Sequence, residues 1–418
     1  MISGTKNLYK NAYSGLSERT WYLAIVMLVN RSGTMVIAFL TVYCNTKLHF
    51  SIPQAGFVVA LFGAGSIIGA YLGGRITDTW GFYPLQVASL ILGGLMFITV
   101  GFLHTFLSLS IGILILSICN ESFRPANSTA VAYYSSVANR TRSFSLNRLA
   151  INLGWAFGSA LGGFLASINY HLLFWVDGCT NILAALLLLK LLPFVKSGSK
   201  RLEEKKEIPS RMPYRDKIYM FFIALTILFA SCFFQLFTMI SLYFKTQWHL
   251  NEFFIGILMA INGLTIVVFE MVLIYSLEGT KPHTYFISIG VAVVGIGYAI
   301  LNVLPHLAWA AIISVLILTI GEIMSMPFMN SFWISRTDED NRGRYAAMYT
   351  IAWSIAQIAA PTFGSQIIEH SGYPSLIWVL LIICLIASLG FVLLGKYYKT
   401  SLALATKTVS NKTIPNKE

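Results

Sequence analysis

Residues 53–103 read PQAGFVVALFGAGSIIGAYLGGRITDTWGFYPLQVASLILGGLMFITVGFL and decide the fold of the chain. They form two apolar runs, 53–72 and 84–103, joined by a turn that holds the only charged residues of the segment, Arg75 and Asp78. Each run has about the 20 residues that a helix needs to cross the hydrocarbon core of a membrane. The segment therefore predicts a hairpin of two transmembrane helices.

The same pattern recurs along the 418 residues, of which 56% are hydrophobic and 11% charged. An ordinary soluble domain has roughly 25% charged residues, so this composition excludes a soluble enzyme. Twelve runs are long and apolar enough to span a membrane, and they are called spans 1 to 12. The predicted spans are 20–43, 53–72, 84–103, 106–134, 144–167, 172–194, 217–244, 253–277, 283–303, 307–333, 345–368 and 374–398.

The distribution of Lys and Arg along the chain predicts how the helices are oriented in the membrane. Of the 29 basic residues, 23 fall in the two termini and in the loops on the same side of the membrane as the termini. The loops on the opposite side hold only Lys47 and Lys245. Basic residues near helix ends stay on the cytoplasmic side, so we expect a cell-membrane protein with both termini in the cytoplasm. The net charge of +12 also favours contact with anionic membrane lipids. No basic stretch lies in a soluble domain with interleaved aromatic residues, which argues against nucleic-acid binding.

The chain also contains an internal repeat, because its longest polar segment, Ser197 to Lys217, divides it almost in half. Residues that match at a spacing of 200 are Tyr43, Thr46, His49, Gly56, Gly63 and Asp78 with Tyr243, Thr246, His249, Gly256, Gly263 and Glu278. Matches at a spacing of 202 include Pro125, Asn139 and Gly162 with Pro327, Asn341 and Gly364. The predicted domains are a six-helix bundle 1–195, a cytoplasmic linker 196–216, a six-helix bundle 217–400 and a short, polar cytoplasmic tail 401–418 that we expect to be disordered. Duplication of a six-helix unit predicts a substrate site between the halves.

The turn after span 2 carries a motif with Gly74, Asp78 and Gly81. It resembles the inner-loop signature of the major facilitator superfamily, in which basic residues follow the carboxylate. Here Thr79, Phe82 and Tyr83 stand there instead, so the turn is kept without the basic residues of a charge-relay gate.

Span 5 carries Gly154, Gly158 and Gly162 on one face, where another helix can pack closely. This stripe resembles the antiporter signature of the family's drug:proton efflux branch. Arginines beside the matching loops are expected to anchor the inner face or to contribute to gating; they are Arg140, Arg142, Arg342 and Arg344.

The resemblance implies an all-α integral membrane protein with twelve transmembrane helices in two pseudo-symmetric six-helix bundles, the major facilitator fold. It also implies alternating access to a small-molecule substrate by a single chain.

Placing an ionisable side chain at membrane depth costs free energy, so each such residue is a functional candidate. Six such residues lie in the apolar spans: Arg31, Glu121, Arg124, Arg148, Glu270 and Glu322. In the fold that the resemblance implies, all six belong to helices that line or flank the central cavity. Asp177 and Lys190 lie near the ends of span 6, where snorkelling to the headgroups explains them.

Glu270 and Glu322 have no basic residue in their own spans, and loss of water around a carboxyl favours its neutral form. They are therefore the preferred proton carriers, and Glu121 is the next candidate. Because Arg31 and Glu121 have opposite charges at similar depth, we expect them to pair.

Polar and aromatic side chains on the cavity helices supply candidate substrate contacts. They are Asn30, Tyr43, Asn152, Gln235, Tyr243, Asn262 and Gln357. No phosphate-binding loop, nucleophile triad or metal-ligand cluster is found in the sequence, so we expect no cofactor and no metal, and an ion gradient, with protons as the coupling ion, as the energy source.

Three functions are compatible with these features. The efflux-like motif favours a proton-coupled exporter of drugs or other small amphipathic compounds. The first alternative is a proton symporter for uptake of a sugar, peptide or organic acid. The second is a receptor or assembly protein that transports nothing.

Overall fold

The computed structural model describes residue 7 and residues 10–195, 212–338 and 340–412. Regular secondary structure in these residues is helical, as predicted. Eleven helical stretches are long and apolar enough to cross a membrane, and the last of them, Arg342–Tyr398, has 57 residues. At 1.5 Å per residue that stretch would be about 85 Å long, far more than a bilayer core. Its backbone breaks at Gly372, with φ 76, so it contains spans 11 and 12.

The bounds agree closely with the predicted spans. Span 1 comprises Glu18–Ser32 and Met35–Thr46, span 2 Ile52–Trp80, span 3 Phe82–Val100, span 4 Phe106–Glu121 and Phe123–Tyr134, span 5 Arg140–Ile168, and span 6 His171–Leu191. Span 7 comprises Lys217–Gln235, Leu236–Ile240 and Ser241–Thr246, span 8 is Glu252–Leu277, span 9 His283–Val303, span 10 Ala308–Ile334, and spans 11 and 12 lie within Arg342–Lys412.

Polar side chains fix where several spans begin. Ser51 and Gln54 form a capping box at span 2, Asp216 accepts a hydrogen bond from the third amide of span 7, and Asn251 does the same at span 8. These caps satisfy amide groups that have no partner within the helix. Short capped turns therefore separate long apolar helices.

The internal repeat is visible in the backbone. His49 and His249 both have positive φ, 55 and 51, a conformation that is uncommon for a residue other than glycine. The loops after spans 1 and 7 thus turn in the same way. Most of the predicted linker, 196–211, lies outside the described residues. The helix of span 12 continues through Lys412, so the expectation of a disordered tail from Ser401 is wrong as far as that residue.

The first helix of each half is interrupted within its span. Span 1 breaks between Ser32 and Met35, and span 7 contains a π-helical turn, Leu236–Ile240. π-helical turns within α-helices frequently mark functional sites. The two interruptions lie about midway along spans 1 and 7.

The halves join near one face of the bundle. We call this the basic face; it carries the loops between spans 2 and 3, 4 and 5, 8 and 9, and 10 and 11. Span 2 packs against span 11, where Gly74 lies against Gly343 and Ser66 Oγ donates to Ser354 Oγ at 3.2 Å. The hydrogen bonds and ion pairs that join spans 2, 5, 8, 10 and 11 across the halves lie within about 20 Å of the basic-face helix ends. The polar contacts between the halves are therefore concentrated towards the basic face.

Candidate functional site

One arginine of the first half binds two carboxylates of the second. Arg148 on span 5 places Nη1 2.6 Å from Glu270 Oε2 and Nη2 3.1 Å from Glu322 Oε2. Both glutamates are buried. We call these three residues the bridging triad. Glu270 and Glu322 have no basic residue in their own spans, and their cation comes from the other half of the chain.

The bridging triad has further polar support from spans 8 and 10. Asn262 Nδ2 donates to Glu322 Oε1 at 3.3 Å and to Thr319 Oγ1 at 2.8 Å. Four predicted site residues therefore meet in one place, and Thr319 joins them. With both glutamates ionised, the triad carries one negative charge more than positive. Inside a protein such an excess is screened far less than in water.

A second charged group lies within the first half; we call it the arginine-rich cluster, and it consists of Arg31, Glu121 and Arg124. Arg124 Nε lies 2.8 Å from Glu121 Oε2, and Asn120 Nδ2 donates to Glu121 Oε1 at 3.2 Å. Arg31 is 7% exposed and has Arg124 and Glu121 as its charged neighbours. Its buried Nε has no hydrogen-bond partner among the described residues.

The direct pair predicted between Arg31 and Glu121 is not formed in this conformation, since no ion pair joins them in the described part of the chain. Glu121 binds Arg124 instead. A spacing of three residues puts these two side chains on the same helix face, so they meet without help from another span.

Glycines of span 5 position Arg31. A Cβ on Gly154 would lie 2.6 Å from Arg31 Cβ, and one on Gly158 would lie 2.9 Å from the Ser32 carbonyl oxygen. Gly162 continues the row against Met35, where a Cβ would lie 3.1 Å from the Met35 Cβ. The glycine stripe therefore lets the interrupted part of span 1 pack closely against span 5. This contact lies within the first half of the protein.

Asp177 caps the break in span 1. Its carboxylate accepts hydrogen bonds from Met35 N at 3.1 Å and Val36 N at 2.8 Å, and its side chain is buried. The interpretation of Asp177 as a snorkelling residue is therefore wrong. Two features were available as signals: the Ser-Gly-Thr sequence at 32–34 inside an apolar span, and an aspartate on span 6 without a cation nearby in sequence.

The basic face is closed by two reciprocal caps. Asp78 of the first half accepts from Gly343 N at 2.7 Å and Arg344 N at 3.1 Å, at the start of span 11. Glu278 of the second half accepts from Thr141 N at 2.9 Å, at the start of span 5. Each carboxylate thus neutralises the positive end of a helix in the other half.

The arginines of the loops complete these caps. Arg344 Nε lies 3.2 Å from Asp78 Oδ2, and Arg142 Nε lies 2.9 Å from Glu278 Oε2. The cation missing after Asp78 in its own loop is therefore supplied by the other half. Glu278 was not predicted as a site residue, although its match to Asp78 at a spacing of 200 was a usable signal.

Comparison with known proteins identifies the family. The sequence profile of the Major Facilitator Superfamily matches residues 23–361. The chain belongs to this superfamily. Members of the superfamily are transporters, not enzymes.

Similar superfamily members include two resistance proteins. The class H tetracycline resistance protein of Pasteurella multocida is 23% identical over 334 residues, which cover 78% of this chain and 82% of that protein. The quinolone resistance protein NorA of Staphylococcus aureus is 23% identical over 299 residues, 72% of this chain and 70% of that protein. These matches confirm the resemblance to the drug efflux branch.

A solved member shares the fold. The proton:xylose symporter XylE, bound to 6-bromo-6-deoxy-D-glucose, aligns with a TM-score of 0.73 at 17% identity and covers 89% of this chain and 94% of its own. At this identity the likeness supports the twelve-helix architecture alone.

Two further arginines of the loops, Arg140 and Arg342, lie near each other across the interface between the halves. Arg140 and Arg342 begin spans 5 and 11, and each of these guanidinium groups lies in the electrostatic field of the other. Arg140 Nε has no hydrogen-bond partner among the described residues. Of the four predicted gating arginines, only Arg142 and Arg344 take part in the caps between the halves.

Several predicted cavity residues instead pack within their own half. Asn30 Nδ2 donates to Asn181 Oδ1 at 2.8 Å, and Gln235 Nε2 donates to the Ala360 carbonyl oxygen at 2.6 Å. The structure therefore gives both amides a helix-packing role.

The predicted tyrosines are also structural. Tyr43 is buried against Phe174 of span 6. Tyr243 stacks on Tyr373 and bonds His306 Nε2 at 3.2 Å. Their assignment to the substrate cavity stays a prediction.

The last two predicted cavity residues are Asn152 and Gln357. Asn152 lies one helical turn above Arg148 on span 5, and its buried Nδ2 has no hydrogen-bond partner in the described part of the chain. Gln357 of span 11 is exposed. Both positions allow a contact with substrate.

Proposed function

We propose that this protein is a proton-coupled exporter of small amphipathic compounds in the cell membrane. The basic face is cytoplasmic in this proposal, because Lys and Arg concentrate there and on the two termini. The closed basic face then makes the described conformation outward-facing. A single chain surrounds the pathway, lipid headgroups contact the basic residues, and the proton gradient supplies the energy without a cofactor.

The bridging triad carries the proposal. Its two ion pairs cross from span 5 to spans 8 and 10 and join the halves at membrane depth. A proton that enters from outside and binds Glu270 or Glu322 removes the charge from one end of an ion pair. A buried ion pair contributes to closure only while both partners are charged, so protonation favours separation of the halves at the basic face.

This sequence of events couples a proton to export. In the inward-facing state, the glutamate loses its proton to the cytoplasm and substrate enters the cavity. The triad forms again as the basic face closes, and the substrate leaves on the outside. The next proton then binds from outside, so proton and substrate move in opposite directions.

Transport by the purified full chain in proteoliposomes tests the proposal. A tetracycline and a quinolone, the compound classes named for its relatives, serve as first probes. Under an imposed proton gradient we expect substrate movement opposite to proton movement. Movement of both in the same direction would establish a symporter and contradict export.

The proton carriers are tested in the same vesicles. Glu270→Gln and Glu322→Gln keep the side-chain shape and remove the titrating group. We expect these variants to lose gradient-driven transport and to keep exchange of substrate without a gradient. Full proton-driven transport in both single variants and in the double variant would assign the glutamates a structural role, and Glu121 would become the next candidate.

A further inference from the structure

The arginine-rich cluster holds more positive charge than its carboxylate balances. Arg31 and Arg124 share the single carboxylate of Glu121, and Glu121 is bonded to Arg124. Arg31 is 7% exposed. A buried charge without a counter-charge is costly, so an additional acceptor at this place would be strongly favourable.

Arg31 has hydrogen-bond donors to offer. A guanidinium group carries five N–H donors and no acceptor, and Arg31 Nε is buried without a partner among the described residues. The Arg124 side chain is 35% exposed, so the cluster is not fully enclosed by protein. The cluster lies between spans 1 and 4.

The surrounding structure holds Arg31 in place. Gly154 leaves room for its Cβ, and the Asp177 cap fixes the helix that resumes at Met35. Donors that are fixed before a ligand arrives lose little freedom on binding. The cluster is therefore prepared for an acceptor that comes from outside the protein.

We propose that Arg31 binds an acidic group of the transported compound, and that substrates are organic anions or zwitterions with an apolar body and a carboxylate. The planar guanidinium group matches a carboxylate with two parallel hydrogen bonds. Glu121 competes for the same positive charge. This inference rests on the proposed function, because it assumes that solutes enter this cavity.

The test measures binding to the purified full chain, without a membrane potential or pH gradient. Radiolabelled naphthoate is the probe, and naphthylmethylamine and naphthylmethanol are competitors with the same aromatic body and a different charge. We expect naphthoate to bind at least about tenfold more tightly than either competitor, the effect of a charge-assisted hydrogen bond.

Two variants should change this affinity in opposite directions. Arg31→Gln should weaken naphthoate binding at least about tenfold. Glu121→Gln removes the competing carboxylate and should tighten it, a gain that misfolding cannot produce. Arg19→Gln is the matched control, because Arg19 is an exposed cation on the same helix, and it should leave the affinity unchanged.

Three results would overturn the inference: no specific binding of naphthoate, equal affinity for the three probes, or wild-type affinity in both Arg31→Gln and Glu121→Gln. The outcome is independent of proton coupling. Exporter activity that survives Glu270→Gln and Glu322→Gln would reject the proposed coupling residues and leave anion binding intact. Loss of anion selectivity would reject the inference and leave coupling intact.

Discussion

The two charged groups at membrane depth have opposite compositions. In the arginine-rich cluster, two guanidinium groups surround the carboxylate of Glu121, whereas in the bridging triad two carboxylates surround the guanidinium group of Arg148. The first group lies within one half of the protein. The second joins the halves. Their charges are complementary, so the membrane interior contains separated positive and negative sites.

This difference in location suggests a difference in role. A cluster within one half moves with that half as a unit, and its geometry is kept when the protein changes state. A cluster between the halves exists only when they are together, so its free energy enters the balance between states directly. The arginine-rich cluster is therefore suited to binding substrate, and the bridging triad is suited to coupling proton binding to the change of state.

The largest effect is expected from removing the cation of the bridging triad. Arg148→Gln leaves two buried carboxylates without a counter-charge, and breaking a buried pair in this way costs about 3–5 kcal/mol, or at least about 100-fold in an equilibrium. We expect loss of gradient-driven transport and a shift away from the closed basic face.

A cross-link measures the shift. Ser66 and Ser354 have their hydroxyl oxygens 3.2 Å apart across the closed interface, so cysteines placed there should form a disulfide only while the basic face is closed. Arg148→Gln should lower the cross-linking yield. Lys190→Gln, at an exposed position on peripheral span 6, is the control. Equal yields in both variants would show that the triad does not hold the halves together.

A smaller and more selective effect is expected from Glu322→Gln. This change leaves Arg148 paired with Glu270, whose distance of 2.6 Å is the shorter of the two. The basic face should therefore still close, with a cross-linking yield between those of the wild type and Arg148→Gln. Transport without a gradient should persist, and its dependence on external pH should be reduced. An unchanged pH dependence would contradict a role for Glu322 in coupling.

The reciprocal caps should contribute less than the triad. Asp78→Asn and Glu278→Gln each remove a negative charge from the start of a helix in the other half and should cost about 1 kcal/mol, or roughly fivefold in the balance between states. Because the caps are equivalent by the repeat, the two variants should lower the cross-linking yield by similar amounts. Arg75→Gln, at an exposed position in the last turns of span 2, should have no effect. Strongly unequal losses of cross-linking yield would mean that the two caps do not contribute equally to closure of the basic face.

Much of this architecture could be predicted from the sequence. The lengths of the apolar runs gave the spans, because a bilayer has a fixed thickness, and the cost of burying charge selected Arg148, Glu270 and Glu322 as candidates. Their partners could not be predicted. Whether Glu270 faces lipid, its own half or Arg148 depends on the rotation of span 8 and on the packing of the halves, which hydropathy does not encode.

Asp177 shows the same limit at a single helix. A carboxylate near the end of span 6 can reach water by snorkelling, so its position along the sequence gave no reason to bury it. The reason lies in span 1, which breaks between Ser32 and Met35 and leaves amide groups that need an acceptor. The sequence contains Asp177 and the Ser32–Met35 segment, but it does not show that the two are in contact.

The smallest effect on transport is expected from Asp177→Asn, which tests whether the break in span 1 belongs to the fixed part of the molecule. The amide can still accept a hydrogen bond from Met35 N or Val36 N, but the charge at this helix start is lost, at a cost of about 1 kcal/mol. Because cap and helix lie in the same half, this cost applies to both conformational states. We expect a lower unfolding temperature, an unchanged Ser66–Ser354 cross-linking yield, and a transport rate within about twofold of wild type. Asp216→Asn, at the start of span 7 and bound within its own half by Arg336 at 2.7 Å, is a second change confined to one half and should likewise leave the cross-linking yield unchanged. If Asp177→Asn instead reduced cross-linking as strongly as Arg148→Gln, the interruption of span 1 would be a moving part, and the division between a fixed binding cluster and a state-dependent bridging triad would fail.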